Sequence, residues 1–346
     1  MLYFHNDYNE ACHPAVLQKM KDNMGRQMGG YGEDTSCENA ANMIRKLCGS
    51  DDLAVHFLVG GTQANLTVIA AALRPHQAAL GAQTAHINVH ETGAIEATGH
   101  KVIALPTEDG KINGAQIRNA VQMHYADSAH EHIPQPKLVY ISNPTEYGTL
   151  YSKAELENLY TVCREMGLYL FLDGARLGYG LAATGYDVTM EDIARLTDVF
   201  YIGGTKVGAL FGEAVVITNE ALKEDFRYLI KQHGGMLAKG RLLGVQFDAL
   251  MTDNLYFEIS AHAITLADKI RSTLEELGVK HLVPGITNQI FPIFSDELLE
   301  ELAKEFCFTE MERVDETHRA VRFCTSWATT EENVDKLCAA LKRLSR

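Results

Sequence analysis

No stretch of this 346-residue chain approaches the ~18 consecutive apolar residues that a membrane span needs, so no spanning segment is expected. Nor is there a long run of Lys and Arg. The 31 basic residues are outnumbered by 45 acidic ones, and a net charge of −14 repels phosphate backbones and anionic lipid surfaces alike. Nucleic acid and membranes are therefore not expected as partners. Cysteine is sparse: Cys12, Cys37, Cys48, Cys163, Cys307, Cys324 and Cys338 are odd in number and include no CxxC pair. This suits the reduced thiols of a cytoplasm and argues against a disulfide framework or a zinc site. The opening MLYFHNDYNE has no basic stretch followed by an apolar core, so it does not read as a secretory signal. Internal repeats and low-complexity linkers are missing too. These exclusions leave a soluble, cytoplasmic protein as the expectation.

What the sequence does carry is an alternation of short strands and helices. LAVHFLVG, HKVIALP, PKLVYIS, LYLFLDGAR, DVFYIGG and EAVVIT read as strands that are apolar almost throughout rather than on alternate residues. TQANLTVIAAALR and SKAELENLYTVCREMG read as helices, the second opened by a capping box of Ser152 with Glu155 and stopped at Gly167. Non-alternating strands joined by helical crossovers predict an α/β fold whose mostly parallel sheet is flanked by helices on both faces. Ligands of such sheets gather beyond the carboxyl ends of the strands. After about residue 245 the pattern changes to a long amphipathic helix, EISAHAITLADKIRSTLEELG, followed by QIFPIF, SDELLEELAKEF, AVRFCTSW and TTEENVDKLCAALKRL. The expected division is a large domain over residues 1–245 and a smaller C-terminal α+β domain over 246–346.

Five short stretches could carry chemistry. VGGTQANL sets two glycines and Thr62 between a strand and a helix, where free N–H groups at a helix start form an anion site. The plainer reading is a tight turn with Thr62 as N-cap, and no GK[ST] follows to make a P-loop. LFLDGARLG places Asp173 and Arg176 just past a strand, where the carboxylate could bind a metal, pair with its own arginine or face a ligand cation, the structural pair being the plainer reading. QTAHINVHETG offers His86, His90 and Glu91, but HxxxH lacks a third ligand at suitable spacing, so no metal is expected. DVFYIGGTKVGALFG ends a buried strand in a glycine turn with one lysine, Lys206, either a surface charge or a chemically used amine. AVRFCTSW puts Arg322 in an apolar strand, where a buried guanidinium would call for an anion.

The order of these features is more informative than any one of them. A phosphate-type turn, a histidine, a strand-end aspartate, a strand-end lysine and a late arginine describe pyridoxal 5′-phosphate held by its phosphate, ring nitrogen and aldehyde. Arg322 would then serve the α-carboxylate of an amino acid. Lys206 would form the Schiff base that amino-acid substrates displace.

On these motifs the chain resembles the low-specificity L-threonine aldolases, within the fold-type-I (aspartate aminotransferase-like) pyridoxal phosphate enzymes, over nearly its whole length. GGYGEDTSCENA is similar to V-Y-G-x-D-P-T-x-N, which places Tyr31 at an active-site tyrosine. VGGTQANL is close to P-[ST]-G-T-x-x-N-L, which implies Gly61 and Thr62 at the phosphate. TAHINVHETGA matches A-H-x-x-x-x-E-x-G-[GA], implying that His86 stacks on the cofactor ring. FLDGARL matches H-x-D-G-A-R-[IL], implying Asp173 at the pyridine nitrogen and Arg176 near substrate and ring hydroxyl. GGTKVGA fits S-K-G-[LM]-[GC]-[AC], with Thr205 replacing serine before Lys206, and AVRFCTSW resembles [IV]-R-x-[VC]-[TF]-[HS], giving Arg322.

Three positions depart from the family pattern. NPTEYG has Glu146 where E-N-T-H-N-G has histidine. HGGMLAKGR has Leu237 where G-G-G-M-R-Q has arginine, with Lys239 or Arg241 nearby to supply charge. HND puts Asn6 where a substrate-facing serine would sit. The resemblance implies retro-aldol cleavage of a β-hydroxy-α-amino acid, such as L-threonine or L-allo-threonine, to glycine and an aldehyde. Glu146 or His86 would be the base for the β-hydroxyl. A β-eliminating lyase acting on another β-substituted amino acid would use the same lysine, aspartate and arginine, and that alternative stands beside the first. The resemblance also implies a homodimer or homotetramer with shared active sites, Tyr31 and the Lys239/Arg241 pair reaching in from the neighbouring subunit.

Overall fold

The computed structural model describes residues 1–345. Its centre is a seven-stranded sheet in the spatial order Ala54–Leu58, Glu213–Ile217, Val199–Gly203, Tyr169–Asp173, Gln135–Ser142, Gln77–Ala82 and Lys101–Leu105. From Val199–Gly203 to Lys101–Leu105 every neighbouring pair is parallel, while Glu213–Ile217 runs antiparallel to both strands beside it. Val199–Gly203 and Glu213–Ile217 are buried at every residue, which requires cover on both faces and explains why their sequences do not alternate. The expected α/β architecture is the one that forms.

The strand Gln77–Ala82 differs from the sequence expectation, which has no strand there. Its residues, QAALGA, are weak strand formers, and tertiary burial decides their conformation. The strand leads directly to the segment that carries His86.

Helix Gly61–Ala72 begins earlier than expected. Gly60, in an extended conformation, is its N-cap, no side chain caps it, and Thr62 is an exposed residue of the first turn. This corrects the reading of Thr62 as N-cap. An added Cβ at Gly61 would sit 3.1 Å from the Tyr201 hydroxyl, so the helix start lies tightly against the sheet. Helix Lys153–Met166 carries the expected reciprocal capping box of Ser152 and Glu155, and Gly167 closes it at φ 65°.

The C-terminal region builds a second, smaller core. Helix Leu255–Glu276 contributes Ile259 and Ala263 to the main core and Ala267, Ile270 and Leu274 to the smaller one. An antiparallel sheet places His318–Cys324 between Ile293–Ser295 and Thr309–Arg313. Pro292 splits QIFPIF into two strands, Gln289–Ile290 and Ile293–Ser295. The start of the chain joins this region: Leu2–Tyr3 pairs parallel with Phe306–Cys307, and Phe4 is buried in the smaller core. Among the described residues no helix is long and apolar enough to cross a membrane.

Candidate active site

Four parallel strands converge on one place at their carboxyl ends, where an open sheet exposes loops to a ligand. Tyr169–Asp173 terminates in Asp173, Gln135–Ser142 leads to Glu146, Gln77–Ala82 leads to His86, and Val199–Gly203 leads to Lys206. Lys206, His86, Glu146, Arg176 and Arg322 line one cavity of about 480 Å³.

Lys206 sits on a turn closed by several hydrogen bonds. The N–H groups of Gly204 and Thr205 donate to Gly212 O at 3.0 and 3.1 Å, and Gly212 N–H donates to Thr205 Oγ1 at 3.0 Å. Thr205 therefore uses its hydroxyl to hold the turn that carries the lysine. Among the described residues the Lys206 amine has no ion-pair partner, since nearby Asp7 is taken by Arg176. Burial and the Arg176 charge lower the lysine pKa, against the attraction of Asp7, Asp173 and Glu213.

Asp173 is 4% exposed and held by three donors: Tyr140 Oη at 2.5 Å and Asn65 Nδ2 at 3.2 Å on Oδ2, and Ala175 N–H at 3.0 Å on Oδ1. It does not pair with Arg176. Arg176 instead clasps Asp7, through Nε at 2.7 Å and Nη2 at 3.0 Å. Burial pushes the Asp7 carboxyl up, but the Arg176 and Lys206 charges and hydrogen bonds from Arg176 and Asn288 outweigh it and hold the pKa at about 2. The sequence option of an Asp173–Arg176 pair is thus corrected: the two leave the turn in different directions, and a carboxylate from the chain start supplies the partner.

His86 is oriented through Nδ1, which lies 2.8 Å from Glu91 Oε1, and Asn65 Nδ2 donates to the same oxygen at 2.7 Å. Burial works against a charged His86, but Glu91 and the Asp173 charge outweigh it and raise its pKa. Glu146 does not point away from the site. Its Oε1 accepts from His86 N–H at 2.9 Å and from Ser142 Oγ at 2.7 Å, and burial raises its proton affinity. Among the described residues Arg322 has no acidic partner; Nη2 donates to His5 O at 3.0 Å, and its buried Nε has no acceptor.

Two expected residues lie elsewhere in this chain. Asn6 accepts from Tyr8 N–H at 2.9 Å in a local turn, and Tyr8 reaches the cavity instead. Tyr31 is exposed and lines a separate cavity of about 430 Å³ with Glu33, Arg227 and Leu237. Several contributors escape sequence reasoning: Asp7, Asn65, Tyr140 and Glu213. A lone polar group inside an apolar strand, as in PKLVYIS or EAVVIT, is the signal that could have found the last two.

The donors present fit pyridoxal 5′-phosphate. The uncapped helix start at Gly61 leaves first-turn N–H groups for a phosphate, Asp173 is fixed for a ring nitrogen, and the unpaired Lys206 amine suits an aldehyde. The same arrangement of elements recurs in the aspartate aminotransferase of Thermus thermophilus with maleate, at a TM-score of 0.72 and 17% identity over 99% of this chain and 91% of that one. That likeness concerns the fold, which is the fold type I of pyridoxal phosphate enzymes. A family model described as beta-eliminating lyase matches residues 11–297. The chain belongs to that family, in the branch of the low-specificity L-threonine aldolases. It is 31% identical to the low specificity L-threonine aldolase of a Pseudomonas species, over 97% of this chain and 96% of that protein. It also matches the structure of the threonine aldolase of Leishmania major with a TM-score of 0.97 and 47% identity, covering all of both chains.

Proposed function

We propose that this chain cleaves β-hydroxy-α-amino acids of the L-threonine or L-allo-threonine type to glycine and an aldehyde. The observation that carries the reading is Lys206: an enclosed amine without an ion-pair partner, on a strand-end turn in the same cavity as the unpaired Arg322. Pyridoxal phosphate, held at Lys206, Asp173 and the Gly61–Thr62 helix start, supplies the electron sink for carbon–carbon cleavage. Arg322, which lines the cavity, binds the substrate carboxylate through a charge-assisted contact. Arg176, fixed by Asp7, places a second positive charge beside Lys206. Glu146 takes the β-hydroxyl proton, because burial has raised its basicity and its backing by Ser142 and His86 N–H fixes its direction. His86, aligned by Glu91 in the same cavity, would hold the cofactor ring and can take over the proton.

The site is completed across an interface between copies of the chain. Tyr31 and the Lys239/Arg241 pair do not line the Lys206 cavity within one chain and would serve the neighbour's, in a homodimer or homotetramer working in the cytoplasm. Product analysis tests the reaction. Glycine plus acetaldehyde from L-threonine or L-allo-threonine, with a visible band that changes on adding substrate, is the expected result. Pyruvate and ammonia from serine or cysteine, with no glycine from either threonine, would replace the aldolase reading by the β-eliminating one.

A further inference from the structure

Glu213 opens the strand Glu213–Ile217, whose other residues are Ala, Val, Val and Ile, and at 3% exposure it is as enclosed as they are. A carboxylate in such surroundings requires compensating donors. They come from the turn that carries Lys206. Gly204 N–H donates to Glu213 Oε2 at 3.0 Å, and the Thr205 side chain beside it favours the charged carboxylate. These are the two residues immediately before the lysine. Gly204 tolerates no side chain, since a Cβ would fall 2.7 Å from Gly212 O and 2.8 Å from the Phe247 ring, so the backbone is held tightly where it meets the carboxylate.

The other two carboxylates acting on Lys206 are already engaged. Asp7 is taken by Arg176 and Asn288, and Asp173 by Tyr140, Asn65 and Ala175. Glu213 has no ion-pair partner among the described residues, and the cation acting on it is Lys206 itself. It does not line the cavity, so it is out of reach of substrate.

We propose that Glu213 is a positioning residue for the Lys206 amine: it fixes the lysine's turn from beneath and, when ionised, favours the protonated nitrogen. The proposal rests on the reading of Lys206 as the cofactor-anchoring amine. The other groups facing Lys206 are Arg176, Asp7 and Asp173, with His86 and His90 from the cavity wall and Cys324 from the C-terminal sheet. Burial raises Glu213 to about 8 and lowers Lys206, and the attraction between the two charges opposes both shifts. Lys206 has to give up and regain a proton as substrate amines displace it, and a nearby carboxylate sets the pH at which it does so.

The test uses the full chain loaded with pyridoxal phosphate and follows the pH midpoint of the visible absorption of its linkage to Lys206. Glu213→Gln keeps the shape and an acceptor for Gly204 N–H but removes the charge. A midpoint lowered by about one pH unit is expected, the size of one charge acting over several ångströms at an effective dielectric of about 20. Glu213→Asp should recover part of it. An unchanged or raised midpoint overturns the proposal. Should Glu213→Gln fail to fold, coupling is reciprocal and the converse is read: the carboxyl infrared band that titrates near neutral pH in the parent must move to higher pH in Lys206→Met, and a fixed band overturns the proposal. If borohydride traps no cofactor at Lys206, the anchoring reading fails. The Glu213 question is then settled by the pH midpoint of Lys206 acetylation in Glu213→Gln against the parent, where again only a lowered midpoint supports it.

Discussion

The two regions of the molecule reach the cavity in different ways. The central sheet delivers Asp173, Glu146, His86 and Lys206 on the short segments that leave four strand ends, where a rigid scaffold holds loops in place. The C-terminal sheet delivers Arg322 from the middle of His318–Cys324. Val321 and Phe323 beside it are fully buried in the smaller core, so alternation along the strand turns Arg322 to the other face. The first region thus places its cavity residues through backbone turns, and the second extends one long side chain to the same cavity. On the proposed function, bond breaking belongs to the sheet and recognition of the carboxylate to the smaller region.

That contrast breaks most sharply at its two extremes. Lys206→Ala should lower turnover by on the order of 10⁴-fold or more, the scale of losing a covalent group, while circular dichroism shows an intact fold. A retained borohydride-trappable chromophore would show that another amine does the work. Arg322→Gln should act mainly on KM, raising it about 10- to 100-fold for the loss of a charge-assisted contact, with a smaller change in kcat. A kcat loss equal to that of Lys206→Ala would erase the distinction between the regions.

Asp7 sharpens the comparison because it ties the regions together, accepting from Arg176 of the large sheet and from Asn288 Nδ2, at 2.9 Å, of the C-terminal part. Its folded pKa of about 2 lies below the ~3.9 of a free aspartate, so the stability it contributes is complete above the free value. That contribution is lost as pH falls through about 2. The linkage corresponds to about 2–3 kcal/mol at neutral pH. Asp7→Asn should therefore destabilise the protein at pH 7 in urea unfolding, and the gap to the parent should close between pH 4 and 2. A pH-independent gap would mean that packing, not charge, is what Asp7 provides.

How much of this was legible from residues follows the same division. DGAR after LYLFL and GTK after DVFYIG announce themselves, because an apolar run that stops at charged residues and glycine reads as a strand end. The capping box at Ser152 is legible for a similar reason: its signal is local. Gln77–Ala82 is not, since alanine and glycine form a strand there only under burial by neighbours distant in sequence. Asp7 is equally silent. Its partner Arg176 is 169 positions away, and nothing around HND marks that carboxylate as paired. Asn6 stands in a serine's place, while the residue next to it does the structural work.

The smallest of these effects is expected at Glu146, a strand-end residue that departs from its family's histidine. Glu146→Gln preserves the length and an oxygen for the His86 N–H and Ser142 contacts, and removes only the capacity to take a proton. A general base is typically worth 10²- to 10⁴-fold, but His86 stays in the same cavity with its Nδ1 fixed by Glu91 and its other nitrogen free to act. A loss of about 10-fold in threonine cleavage is therefore expected, smaller than the typical range because a second base is at hand. The acid limb of the kcat/KM profile should move with it. In the parent it follows a carboxyl raised by burial, and in the variant it passes to His86, whose pKa lies above that of an ordinary histidine, so the limb should shift to higher pH. Unchanged rates on L-threonine, L-allo-threonine and phenylserine would make Glu146 a structural link between the loop and His86. A collapse as deep as that of Lys206→Ala would mean that His86 cannot substitute, leaving the proton step to Glu146 alone.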